Sequence, residues 1–181
     1  MLTNLAAAAT GGNAEKAIGI LATDVADKNR SAVKVLAYQH YGQTCGYLPD
    51  SSANSFDKQN VRDGHYMIWG PLHMLARVTD GQVTSPNVKR IIEYMTLAVT
   101  PTSFDMIELE AKSGVVPECA MRVTRTEEVG PLASFMPEKS CECAFLKNAN
   151  GTAPSSCKAC TTNADCSSSA PACNYGFCEV K

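Results

Sequence analysis

Apolar residues cluster in short runs along roughly the first 125 positions and thin out sharply after position 140. The opening run at 2–9 is rich in alanine and predicts a helix, with Gly11 and Gly12 as its stop. Residues 17–21 (AIGIL) form a compact apolar stretch that fits a buried strand. After a polar interval, 33–41 returns as a β-branched segment suited to a second strand. From 42 to 60 serine, asparagine, aspartate and glycine dominate around Pro49, which predicts a long surface loop or lid.

Residues 61–78 read as an extended entry through Tyr66, Ile68 and Trp69, a break at Gly70-Pro71, and a continuation to Val78. Ser85-Pro86 is an N-cap followed by proline at the first helical position. Beyond it Ile91, Ile92, Met95, Ala98 and Val99 share one helical face until Pro101. A second helix is predicted over 102–112, capped by Thr102 or Ser103, with Gly114 past its end. Residues 115–125 read as a last strand, and 130–139, with Pro131 and Pro137, as a linker. No internal repeat is present. Strands alternating with helices predict an α/β domain over 1–139, a mixed sheet with flanking helices, followed by a small module over 140–181.

That module changes the picture most. Of the nine cysteines, seven lie at 141, 143, 157, 160, 166, 173 and 178, in a stretch with almost no large aliphatic side chains. Burial alone cannot order such a segment, so disulfides or a metal must do so, and disulfides persist outside a reducing cytosol. The expected location is therefore periplasmic or extracellular. Seven is odd, and Cys119, at the end of the apolar domain, brings the set to eight: Cys119, Cys141, Cys143, Cys157, Cys160, Cys166, Cys173 and Cys178. Eight cysteines allow 105 connectivities, and the sequence does not choose among them. Cys45 is left over. Zinc at the C-x-C and C-x-x-C pairs is the alternative, weakened by the absence of a nearby histidine. Phe145, Tyr175 and Phe177 are the module's large apolar groups, expected to pack on the main domain. Residues 1–15 lack a basic start and a long apolar core, so no export signal is legible; an upstream region is expected.

Sixteen basic and eighteen acidic residues are well mixed, for a formal net charge of −2, which argues against a nucleic-acid surface. No apolar run approaches the length of a membrane span.

Three motifs in order, Ala17-Ile18-Gly19, Val33-Lys34-Val35, and Arg62, Gly64, Tyr66 and Ile68 of an R-x-G-x-Y-x-I pattern, carry a family likeness. Together they resemble the later part of type 2 periplasmic solute-binding proteins, phosphate-binding proteins of bacterial ABC transporters in particular. The likeness covers roughly residues 1–125. It implies the second-lobe portion of a two-lobed α/β protein, a small anionic solute such as phosphate as ligand, and a membrane permease as partner. In such sites helix N-termini direct backbone N–H groups at the oxyanion; that loop is not legible here.

Arg62, Asp63, His65 and Tyr66 form the densest polar-aromatic cluster and are the candidate ligand-binding residues, Arg62 as the anion contact and Asp63 as its orienter. The structural alternative is an Arg62/Asp63 ion pair with Tyr66 at a hinge, the commoner fate of such residues. His65 and His73 stand eight apart across the Gly-Pro break and suggest no metal site. Trp69 fits either a cleft wall or packing. Ser51, Ser52, Ser55 and Asp57 read as a solvated connection. There is no G-x-S-x-G elbow and no cysteine or serine at motif spacing from a histidine, so no enzyme, catalytic residue or cofactor is expected. The rival to solute binding is an extracellular structural or interaction protein whose cysteine-rich end is the contact module.

Overall fold

The computed structural model describes residues 1–128 and 130–180. Helix α1 (Leu2–Thr10) forms over the alanine run and stops before Gly12, which takes a φ of 71°. Ala17 then enters the AIGIL run in extended conformation, but residues 18–21 make no backbone hydrogen bond to another described residue. Helix α1 leans on one side of the run, where a Cβ at Gly19 would meet Leu5 and Met1. The other side is bare: Ile18 is 83 % and Ile20 88 % exposed.

Helix α2 (Thr23–Lys28) is tied to the 42–60 loop by buried charge. Asp50 accepts from Arg30 at 2.6 Å, from the Lys58 ammonium at 2.9 Å and from the Lys58 backbone N–H at 2.8 Å. Asp27 on α2 pairs with the same two cations. Arg30 also lies over the Phe56 ring at 4.1 Å. The loop is thus held in place by salt bridges rather than by apolar packing. It closes into the single-turn helix α3 (Gln59–Arg62). Gly64 follows at φ 80°, and a Cβ there would stand 2.7 Å from Leu132 and 3.2 Å from Val123. Both the conformation and the space require glycine.

Strands β1 (Val78–Thr79) and β2 (Gln82–Val83) make a hairpin over Asp80-Gly81, both at positive φ as a twist-matched two-residue turn needs. Helix α4 (Pro86–Met95) starts at the Ser85 cap, whose hydroxyl accepts from the Val88 N–H. It ends earlier than its apolar stripe, because Leu97 turns into the left-handed region at φ 55° and packs on the core. Helix α5 (Met106–Lys112) is capped by Asp105, accepting from the Glu108 N–H at 3.2 Å, rather than by Thr102 or Ser103. Strand β3 (Val123–Thr124) pairs antiparallel with β4 (Ala133–Ser134), so the expected linker contributes a strand.

The largest cluster of buried apolar residues joins α5 to helix α6 (Glu142–Asn150) and to strand β6 (Phe177–Glu179), which pairs with β5 (Ala172–Asn174). It comprises Ile107, Ala111, Ala120, Cys141, Cys143, Ala144, Phe145 and Phe177, with Tyr175 packed against it. Phe145 is 1 % exposed. Four disulfides frame this region: Cys119–Cys141, Cys143–Cys157, Cys160–Cys173 and Cys166–Cys178. Cys45 is free and exposed. The C-terminal segment is a disulfide-rich module, and its core crosses position 140 through α5 and Ala120.

The expected mixed sheet of a two-lobed α/β protein is not formed. Among the described residues strands pair only as three two-stranded antiparallel sheets. A central strand buried on both faces needs neighbours at both edges. Residues 17–21 find none, and 33–41 contribute only the Tyr38–Tyr47 bridge. No helix among the described residues is long and apolar enough to cross a membrane.

Candidate functional site

The four candidate ligand residues lie near one another but turn to separate tasks. Arg62 is 2 % exposed. Its Nε donates to the Ala120 carbonyl at 2.8 Å, and a terminal nitrogen stands 2.6 Å from the Glu142 carboxylate of α6 without hydrogen-bond alignment. The guanidinium also faces the Phe145 ring at 5.6 Å. Asp63 pairs with Arg122 at 3.0 Å, and Arg122 reaches the same Glu142. This chain of charges fastens α3 and β3 to the disulfide module. His65 stacks on Tyr47 with ring centroids 4.9 Å apart, and Tyr66 meets Tyr38 edge-on at 6.1 Å. The Arg62 charge is therefore already answered by protein carboxylate. In the polar loop, Ser51 and the Gln59 N–H both donate to Asp57. Burial opposes ionisation of Asp57, but these bonds and the nearby Arg62 outweigh it and hold the carboxyl below its ordinary range.

A different arginine has no such answer. Arg125, one residue past β3, is 8 % exposed. It lies over the Trp69 ring with 4.1 Å from guanidinium carbon to centroid. Its two terminal nitrogens donate to the Trp69 carbonyl at 3.2 Å and the Met67 carbonyl at 3.4 Å. No carboxylate pairs with it among the described residues, and its Nε is buried without a partner. The Trp69 indole N–H is likewise buried and without a hydrogen-bond partner among the described residues. Burial is the cause that lowers the Arg125 pKa, and no opposing charge offsets it.

This guanidinium stands in the wall of a cavity of about 380 Å³ lined by Tyr38, His40, Met67–Gly70, Arg125 and Glu128. Three segments build it. The Tyr38–Tyr47 bridge sets Tyr38 and His40, whose hydroxyl and Nδ1 lie 3.1 Å apart. Gly64 turns the chain so that 67–70 runs past Arg125. The β3–β4 hairpin then carries Arg125 and Glu128. At the rim Glu128 meets His73 Nε2 at 3.2 Å, both side chains mostly exposed. The chemistry on offer is recognition: a fixed cation, aromatic faces and a hydroxyl–imidazole pair.

The sulfur atoms of Cys160, Cys166 and Cys178 lie within 4.8 Å of one another, but all three are held in disulfides, which removes them as thiolate ligands. The chain matches no protein-family model, no curated protein and no solved structure.

Sequence reasoning noticed Trp69 as a possible cleft wall and passed over Arg125. In RVTRTEE that arginine sits beside two glutamates and reads as a solvated surface charge. The usable signal was the alternation Val123-Thr124-Arg125 behind an apolar entry, which turns Arg125 to the same side as Val123.

Proposed function

We propose that this chain belongs to an extracytoplasmic solute-binding protein and holds a small oxyanion reversibly in the Arg125 cavity, with no chemistry performed on it. The observation that carries the reading is a buried guanidinium, without a carboxylate partner among the described residues, in the wall of a cavity. A buried charge is costly unless paired, and an anion from solution supplies the pair. The aromatic faces of Trp69 and Tyr38 limit water around that contact and so strengthen it. The four disulfides are consistent with an oxidising setting. The resemblance to type 2 periplasmic solute-binding proteins points the same way and adds phosphate as a ligand to test and an ABC-type membrane permease as partner.

The test is a thermal melt of the chain against phosphate, sulfate, benzoate and chloride at fixed ionic strength. Ligand that binds only the folded state raises stability by RT ln(1 + [L]/Kd), about 2.7 kcal/mol at a hundredfold excess over Kd. One oxyanion is expected to raise the midpoint saturably, and Arg125→Gln to abolish the rise. Identical midpoints in all four salts would remove the reading.

A second reading, an extracellular interaction protein, is favoured by the bare apolar side chains: Ile20 is 88 %, Leu75 96 % and Tyr41 98 % exposed. Under it the melts show no anion dependence and the partner covers these side chains.

A further inference from the structure

We infer that the ligand of the Arg125 cavity is an organic monocarboxylate with a flat apolar body, not inorganic phosphate; this rests on the anion-binding reading above. Charge balance is the first reason. The wall holds one unanswered cation, Arg125, and one carboxylate, Glu128, at the rim. A single negative charge cancels the guanidinium. A phosphate dianion would leave a surplus charge in an aromatic-walled space with Glu128 beside it, and like charges at close range disfavour one another.

Size is the second reason. At about 380 Å³ the cavity falls within the range of sites that hold small organic ligands, about 300–1,000 Å³. A five-atom oxyanion would leave most of that space to solvent. The lining is the third. Tyr38, Met67, Ile68 and Trp69 offer aromatic and aliphatic surface, which recognises an apolar body and contributes nothing to a phosphate. A planar carboxylate also suits a guanidinium whose N–H fork is only partly used by the carbonyls of Met67 and Trp69. The Tyr38 hydroxyl and His40 imidazole then face the body of the ligand, where a ring substituent can reach them.

Trp69 is the chain's sole tryptophan, so its emission reports on this cavity alone. The experiment titrates the full chain with benzoate, inorganic phosphate and benzyl alcohol, following Trp69 fluorescence and confirming stoichiometry by calorimetry. Benzoate is expected to bind one to one and at least tenfold more tightly than either other probe. Arg125→Gln, checked for a native disulfide pattern and a cooperative melt, should weaken benzoate by on the order of ten- to a hundredfold and leave benzyl alcohol unchanged. Glu128→Gln, a second variant remote from the fold's core, should tighten benzoate. If phosphate binds and benzoate does not, the ligand class is wrong while the anion-binding reading stands. If benzyl alcohol matches benzoate, or if no probe binds, the anion-binding reading falls as well.

Discussion

Glu110 is buried on α5 at 4 % exposure, with one carboxylate oxygen unpartnered. Burial pushes its pKa from an ordinary 4.5 up to about 7. Between those values the folded chain holds a proton that the unfolded chain has released, so stability falls as pH rises across that window and the full penalty stands above pH 7. Asp57 and Asp165 act in the opposite sense. For Asp165 the hydrogen bonds from Thr161 and Thr162 hold the carboxyl at about 2, so its contribution is complete above pH 4 and lost on further acidification. Melting temperature should therefore peak near pH 4–5. Glu110→Gln should flatten the decline between pH 5 and 8, raising the midpoint at pH 8 and barely changing it at pH 4.5. Asp50 gives a sharper test. Replacing it by alanine leaves the buried Lys58 and the half-buried Arg30 sharing Asp27 alone, and urea unfolding should show a loss of about 1.5–3 kcal/mol. At this scale the sequence was half legible. Arg62 and Asp63 stood out as a charged pair, yet each takes its charge partner from a distance, Arg62 from Glu142 and Asp63 from Arg122, and no local pattern reveals that. Arg125 looked ordinary because its burial depends on Trp69, 56 residues away.

Helices with chemical punctuation were legible as elements. Ser85-Pro86 opens α4 and the Gly11-Gly12 pair closes α1, since caps and stops act within one turn of the chain. Helix α6 was missed. ECAFLKNAN has too few aliphatics for an amphipathic stripe, and the helix is held instead by bonds at its first turn, Cys119–Cys141 just before it and Cys143–Cys157 within it. The double change Cys119→Ser, Cys141→Ser opens a loop of 22 residues. It should cost about 3 kcal/mol and loosen α6 first, seen as faster amide exchange at Ala144 and Phe145 than in β5–β6. Strands were the least legible. AIGIL has the composition of a buried strand, but pairing requires a neighbour of matching register, and the described residues supply none.

The molecule as a whole is organised from its C-terminal end. Its core lies where α5, α6 and β6 meet between disulfides, and the Arg62–Glu142–Arg122–Asp63 chain links that core to the segments carrying the cavity. The cysteine content pointed to this region and left the pairing open, because linear spacing does not say which sulfurs approach. The consistency of the chain with an oxidising setting depends on those bonds being made. Peptide mapping of the native, unreduced protein after thiol alkylation tests this most directly. The expected result is Cys119–Cys141, Cys143–Cys157, Cys160–Cys173 and Cys166–Cys178 linked, with alkylation at Cys45 alone and no zinc. A folded protein with nine alkylated cysteines, or with zinc held by the C-terminal thiols, would contradict it.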